Sequence, residues 1–334
     1  MTSPTLLPFM DMLPQGAAFA FAFDGVGPAV ALPRVADVLG HAQTSGFVWL
    51  HLNLADARTR EWIAGQDILP EEARETLQSH EDHQRLDHGD DFLWGALSDF
   101  HREFDGQGDS IGLLSFVLGA RVLITGRRHP LQSVEVLRRV VERGRVLSSP
   151  VEVFELIADQ VIDAISREVR ALTARIDKIE DRVLSDDVSD ERKHLGPVRR
   201  SVVRLQRQAA GLRAVLQRVE DVPELEQDMV EASSRLAQHV EATAREVHAL
   251  EQRARLLQDE VAAKLSAETN RNLYTLTILT TLLLPATLVT GAFGMNTKGL
   301  PFGDDERGFV LACLIGLAAS ALVYLFIRRR QTLV

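Results

Sequence analysis

The chain has 334 residues and a net charge of −10, with room for one or two soluble domains at about 150 residues each. That acidity argues against a nucleic-acid partner, because gripping phosphates needs a basic face. One cysteine, Cys313, excludes a disulfide framework and a cysteine-based structural zinc site.

In chain order, no Lys or Arg precedes Arg34, so no signal peptide is expected at the start. Residues 1–148 are expected to form an α/β/α domain. The runs 17–23 and 47–53 suit strands, and ADARTREWIAG and PEEARETLQSH suit short helices, the second opened by Pro70 with acids in its first turn. Three further strands are expected at 92–100, 111–119 and 121–127, the last two joined by a hairpin turn at Gly119-Ala120. A helix follows over 131–141. Between them, His80 and His83 stand one helical turn apart beside Asp87, His88, Asp90 and Asp91. These are metal-ligand types and allow a metal sensor, but a solvated turn between helix and strand accounts for them as well.

Residues 149–222 carry long amphipathic patterns, one helix over 151–184 and a basic one ending near Val219, with the polar turn 185–190 between them and Asp190 placed to cap the second. Residues 223–293 form the third long helix, opened by Pro223. Met229, Ser233, Leu236, Val240, Thr243, Val247, Leu250, Ala254, Leu257 and Val261 alternate spacings of four and three, a seam with a repeat of about 3.5 residues. The small residues in it fit packing among several neighbours rather than a two-stranded zipper. Neither Pro nor Gly occurs between Glu224 and Leu284, so the helix is expected to continue into an apolar segment. Such a rod, about 100 Å long at about 1.5 Å per residue, would couple the soluble body to a membrane.

Residues 273–293 and 309–327 contain no charge, and about twenty apolar residues span a bilayer as a helix. Lys264 and Arg271 precede the first span, and Arg328, Arg329 and Arg330 follow the second. The connecting loop holds Lys298 and Arg307 against Asp304, Asp305 and Glu306. By the positive-inside rule both termini, including the tail 328–334, face the cytoplasm and the loop 294–308 faces out. The expectation is an α+β membrane protein in a cell's inner membrane, in contact with lipid. A two-span protomer cannot enclose a pore, whereas a ring of protomers can. Back from Asn296, one helical face collects Gly291, Thr287, Leu284, Thr280, Thr277, Leu273 and Asn270. Hydroxyls alternating with apolar positions suit a pore lining, and Thr and Gly equally suit helix–helix contacts in lipid. There is no nucleotide-binding glycine loop and no credible nucleophile with its base, so no enzymatic activity and no cofactor are expected.

Gly294-Met295-Asn296, after LLPATLVTGAF and before a final span that closes on basic residues, resembles the selectivity motif of the CorA family of divalent-cation transporters. So does the Asn270-Arg271-Asn272-Leu273-Tyr274 approach to the span. The resemblance implies a funnel-shaped homopentamer, an α/β/α cytoplasmic domain on long stalk helices, and a ring of Asn296 at the outer mouth. Thr297-Lys298-Gly299-Leu300-Pro301 and RVLITGRRHPL are most similar to the family's zinc-transporting ZntB branch, which implies zinc uptake, with proton coupling as proposed for that branch. A magnesium or cobalt channel of the CorA type is the alternative, and a membrane-anchored coiled-coil scaffold is the alternative of another class. An acidic collar of Asp304, Asp305 and Glu306 is expected to offset Lys298 at the mouth.

Overall fold

A computed structural model describes residues 16–32, 46–79, 83–89, 91–101, 111–185, 191–220, 222, 227–295 and 308–331. Its strands are β1 (Ala17–Phe23), β2 (Val30–Ala31), β3 (Phe47–Asn53), β4 (Arg85–Gly89), β5 (Phe92–Phe100), β6 (Ile111–Gly119) and β7 (Val122–Arg127). They form one mixed sheet in the order β2-β1-β3-β7-β6-β5-β4, with β3 and β7 parallel and the remaining neighbours antiparallel. Gly46 turns the chain into β3 at φ +77°, and a Cβ there would lie 1.8 Å from the carbonyl oxygen of Phe23, so only glycine fits.

The strands are nearly continuous apolar runs because both sheet faces are covered. Ala20, Val48, Leu50, Leu52, Val117 and Ile124 share one face and pack with Ile63 of α1 (Ala57–Ala64) and with Ala73 and Leu77 of α2 (Glu71–Gln78). Their alternates face α3 (Gln132–Glu142) and α4 (Pro150–Leu184). There the ring of Phe116 lies 4.7 Å from that of Phe154. The result is the expected α/β/α layering.

Two local expectations are corrected. The β6–β7 hairpin turns at Ala120-Arg121, since Gly119 still pairs with Val122. Asp87 and His88, read as part of a solvated turn, belong to β4. That edge strand pairs with β5 alone and buries only Leu86 fully, so its letters carry little of the apolar alternation that marks a strand.

α4 begins with a cap on each side of the Ser149 peptide. Ser149 Oγ accepts the Glu152 amide at 3.2 Å, and the Glu152 carboxylate accepts the Ser148 amide at 2.7 Å. Pro150 sits in the first turn, where its missing N–H costs nothing. α3 lacks a side-chain cap of its own. Asp99 of β5, fully buried, supplies it by accepting the Ser133 amide at 3.1 Å and the Ser133 hydroxyl at 2.8 Å.

α5 (Glu191–Glu220) and α6 (Gln227–Phe293) complete the long helices. Every residue of the seam from Met229 to Val261 is buried. α4 and α6 run parallel, as their polar links rise together: Arg235 to Glu155 at 2.7 Å, His239 to Asp159 at 2.8 Å, Ser166 to Thr243 at 3.1 Å and Arg253 to Asp177 at 2.7 Å. Arg213 of the basic α5 pairs with Glu241 at 2.9 Å. The expected cap Asp190 and helix opener Pro223 lie outside the described residues. The chain divides into two compact units near Leu257, within α6. The second holds the rest of α6 and α7 (Gly308–Gln331).

Candidate functional site

α6 and α7 each contain a stretch long and apolar enough to cross a membrane, with mean hydropathy of 1.8 and 2.6. The two helices meet on a narrow line. Ser320 Oγ donates to the Leu282 carbonyl at 2.7 Å, and a Cβ on Gly316 would lie 3.5 Å from Ala286 Cα and 3.9 Å from Val289 Cβ. Small residues at the crossing bring the backbones close, the usual way helices associate in lipid.

The predicted stripe lies on another face. At about 100° per residue, Leu273, Thr277, Thr280, Leu284, Thr287 and Gly291 centre about 170° round α6 from the line of Leu282, Ala286 and Val289. All six are exposed in the protomer, together with Asn270, and Leu284 is 66% exposed. A Cβ on Gly291 would meet nothing within 4 Å. The contact with α7 therefore uses none of the stripe.

The threonine hydroxyls are oriented by their own helix. Thr277 Oγ1 donates to the Leu273 carbonyl at 2.7 Å, Thr280 to Leu276 at 2.8 Å and Thr287 to Leu283 at 2.9 Å. Each hydroxyl spends its one hydrogen on a carbonyl four residues back, and its two lone pairs remain for other partners. The stripe thus presents acceptors, which suits a cation or the water around one. Leu273 and Leu284 interrupt it about 16 Å apart. The spacing of the threonines was legible in the sequence; the direction of their hydrogens was not.

At the far end of α6, the Gly294 amide still donates to the Thr290 carbonyl at 2.9 Å and the Met295 amide to Ala292 at 3.4 Å. A side chain on Gly294 would crowd the Thr290 carbonyl oxygen at 3.2 Å. Gly294 and Met295 close the helix, and Met295 is 58% exposed. Asn296, Asp304, Asp305 and Glu306 lie outside the described residues.

Of the candidate sensor pair, His83 is exposed just ahead of β4, and His80 lies outside the described residues. Among the described residues no cluster of three His, Cys, Asp or Glu side chains could hold a metal ion. His239 and His248, surface positions of the stalk, face carboxylates of Asp159 and Glu251. Sequence reading missed the polar groups inside the soluble domain, chiefly His51 and Asp99. Their only signal was a polar letter within an apolar strand run.

Residues 44–329 match the family described as CorA-like Mg2+ transporter protein. The zinc transport protein ZntB of Yersinia pseudotuberculosis is 24% identical over 323 residues, covering 95% of this chain and 96% of that protein. The ZntB of Yersinia pestis matches to the same extent. Among solved structures, full-length CmaX superposes with a TM-score of 0.80 at 23% identity, covering 95% of this chain and 98% of its own. The CorA magnesium transporter from Methanocaldococcus jannaschii gives 0.77 at 15%, covering 95% and 99%. The ZntB cytoplasmic domain from Vibrio parahaemolyticus gives 0.63 at 14%, covering 77% and 98%. The chain shares their fold.

Proposed function

Because the chain belongs to the CorA-like Mg2+ transporter family, which moves divalent cations, we propose that it is a zinc uptake transporter of the inner membrane. Five protomers form a ring, and each turns the stripe of α6 toward a common axis. Both termini and the soluble body lie in the cytoplasm. The supporting observation is the acceptor face: three threonines with their hydrogens turned back into the helix, on a face that α7 leaves uncovered.

The chemistry follows from charge and hydration. An Asn296 ring at the outer mouth offers amide oxygens that engage a hydrated divalent ion without holding it as tightly as carboxylates would. Asp304, Asp305 and Glu306 gather cations there and offset Lys298. Inside, the rings of Thr287, Thr280 and Thr277 accept hydrogen bonds only from the ion's water, and rings of Leu284 and Leu273 are apolar constrictions that gate by dewetting. A negative cytoplasm favours entry by about 4.6 kcal/mol for two charges across about 100 mV. Zinc is favoured by the relatives named as zinc transport proteins and by the loop Thr297–Pro301. Proton coupling accompanies zinc in this reading. One observation favours magnesium instead: the stripe has no His or Cys, the ligands that zinc prefers.

Flux into liposomes holding the purified protein tests both readings, with zinc against magnesium at two external pH values and Asn296→Ala alongside. Zinc entry that rises with an inward proton gradient and changes in the variant supports the proposal. Magnesium entry driven by voltage alone replaces zinc with magnesium. No flux of either ion through oligomeric protein overturns transport and leaves the scaffold.

A further inference from the structure

The soluble domain contains a cavity of about 310 Å³ that the transport reading does not use. It opens among β1, β3, β7 and α3, and its wall includes Phe19, His51, Arg127, Val134, Glu135 and Arg138. His51 is 1% exposed, and its Nε2 has no hydrogen-bond partner. Its tautomer turns on the hydrogen bond of the other nitrogen. Trp49 Nε1–H donates to Thr125 Oγ1 at 2.9 Å, and Thr125 Oγ1 lies 2.8 Å from His51 Nδ1 but 3.4 Å from the Leu50 carbonyl. A threonine hydrogen placed on the nearer acceptor, Nδ1, puts the imidazole proton on Nε2, the tautomer that the proposal below uses. Burial, with Arg127 and Arg138 nearby, pushes the His51 pKa down to about 3 and keeps the ring neutral. Phe19 stacks on the ring face at 4.9 Å, leaving the Nε2 edge.

The rest of the wall has one sign in excess. Arg127 is half-buried and enters no ion pair among the described residues, although Glu135 acts on it electrostatically. Arg138 lies 6.0 Å over Phe19 and binds Glu135 at 3.1 Å. Arg138 also pairs with Glu142 at 3.1 Å and Arg139 with Glu135 at 3.4 Å, so three guanidinium groups against two carboxylates leave one positive charge, that of Arg127, beside the His51 Nε2 edge. A buried donor without a partner is costly, and an anion would satisfy it. A metal ion would meet a protonated nitrogen and net positive charge.

We propose that this cavity binds a small molecule through an oxyanion group, a carboxylate or a phosphate. His51 Nε2–H and the Arg127 guanidinium grip the oxyanion, Arg138 adds charge, and Phe19 and Val134 cover the apolar part. The test is titration calorimetry of the full chain in lipid nanodiscs at constant ionic strength, with succinate and inorganic phosphate as separate probes. Saturable binding of either is expected, weakened at least about tenfold by Arg127→Gln and unchanged by Arg143→Gln, at the C-terminal end of α3 and outside the cavity. Binding of succinate alone assigns a carboxylate, and binding of phosphate alone a phosphate. No saturable binding of either at millimolar concentration overturns the proposal, as does equal weakening by both variants. Should Arg127→Gln fail to fold, the ring nitrogens of His51 in the unaltered chain decide by NMR. A protonated Nε2 that shifts on saturation supports the site, and one that does not move overturns it.

Discussion

The two halves of α6 treat the same kind of residue in opposite ways. Val247 and Val261 are 0% and 2% exposed, whereas Leu276 and Leu288 are 60% and 75% exposed. Up to Val261 the seam side chains are buried within the protomer, while off the seam Val230 and Leu256 are exposed. Beyond it only a thin line against α7 is covered, and the leucines must be shielded from outside the protomer, by lipid or by further copies. Folding energy in the first region is therefore intramolecular, and in the second it belongs to the surroundings.

The sharpest way to break that contrast is to shorten a matched pair of aromatics. Phe116 is fully buried against Phe154, while Phe309 at the start of α7 is 79% exposed. Phe116→Ala is expected to cost the soluble domain about 3–5 kcal/mol through lost burial and a cavity. Phe309→Ala should leave that transition in place. Denaturant unfolding, followed by the fluorescence of the three tryptophans, all in the soluble domain, measures both. Equal effects would refute the division.

Acid sharpens the comparison next, because the strongly shifted groups outside the spans sit in the soluble domain. His51 has a folded pKa of about 3, below its ordinary 6.5. Its neutral burial thus stabilises the fold above about pH 6.5, and that stability is lost as pH falls toward 3. Asp99 has the opposite sign: burial raises it from 3.8 to about 6. The fold binds that proton more tightly than the unfolded chain, so the Asp99 contribution is present below pH 3.8 and lost as pH rises through 6. The larger shift belongs to His51, but over pH 6.5 to 4 the two largely offset, and a net destabilisation under about 1 kcal/mol is expected. In His51→Gln the difference from the parent should narrow as pH falls. A difference independent of pH would show that the imidazole is not held neutral.

How much of this was legible in letters depended on range. The stripe and the seam obey a helical period: Thr243 and Leu250 are buried, and Thr280 and Leu284 share an exposed face of the protomer. Strands β3 and β5 were equally plain because both their faces are buried. β4 was not, since an edge strand with one buried residue has no pattern to read. His51 meets Thr125 across 74 residues, and Asp99 meets Ser133 across 34, and no local spacing announces such pairs. The direction of the threonine hydrogens needed a built helix.

The threonine stripe gives a smaller effect that separates stability from transport. Thr280→Val keeps the shape and removes a hydroxyl whose hydrogen bond lies within its own helix. The expected change in stability is under about 0.5 kcal/mol, as for a surface substitution away from buried features. If the stripe lines the pore as proposed, ion flux should fall, because an apolar ring would replace acceptors facing the conduction path. Unchanged flux with unchanged stability would place this face against lipid or a neighbouring helix.

The smallest effect concerns charge on the stalk. Arg253 binds both Asp177 and Glu180, three residues along the helix from buried Leu250. Its arrangement invites the view that ion pairs clamp α4 to α6. Yet its side chain is 40% exposed and those of its partners 51% and 30%, so water and salt screen the attraction. Exposed pairs contribute about 0–1 kcal/mol, and Arg253→Gln should cost no more and less again at high salt. Leu250→Ala, by contrast, should cost about 2–5 kcal/mol. If unfolding experiments reversed that order, the stalk would be an electrostatic assembly. The preferred order makes the seam the source of strength and the ion pairs a means of fixing the register between parallel helices.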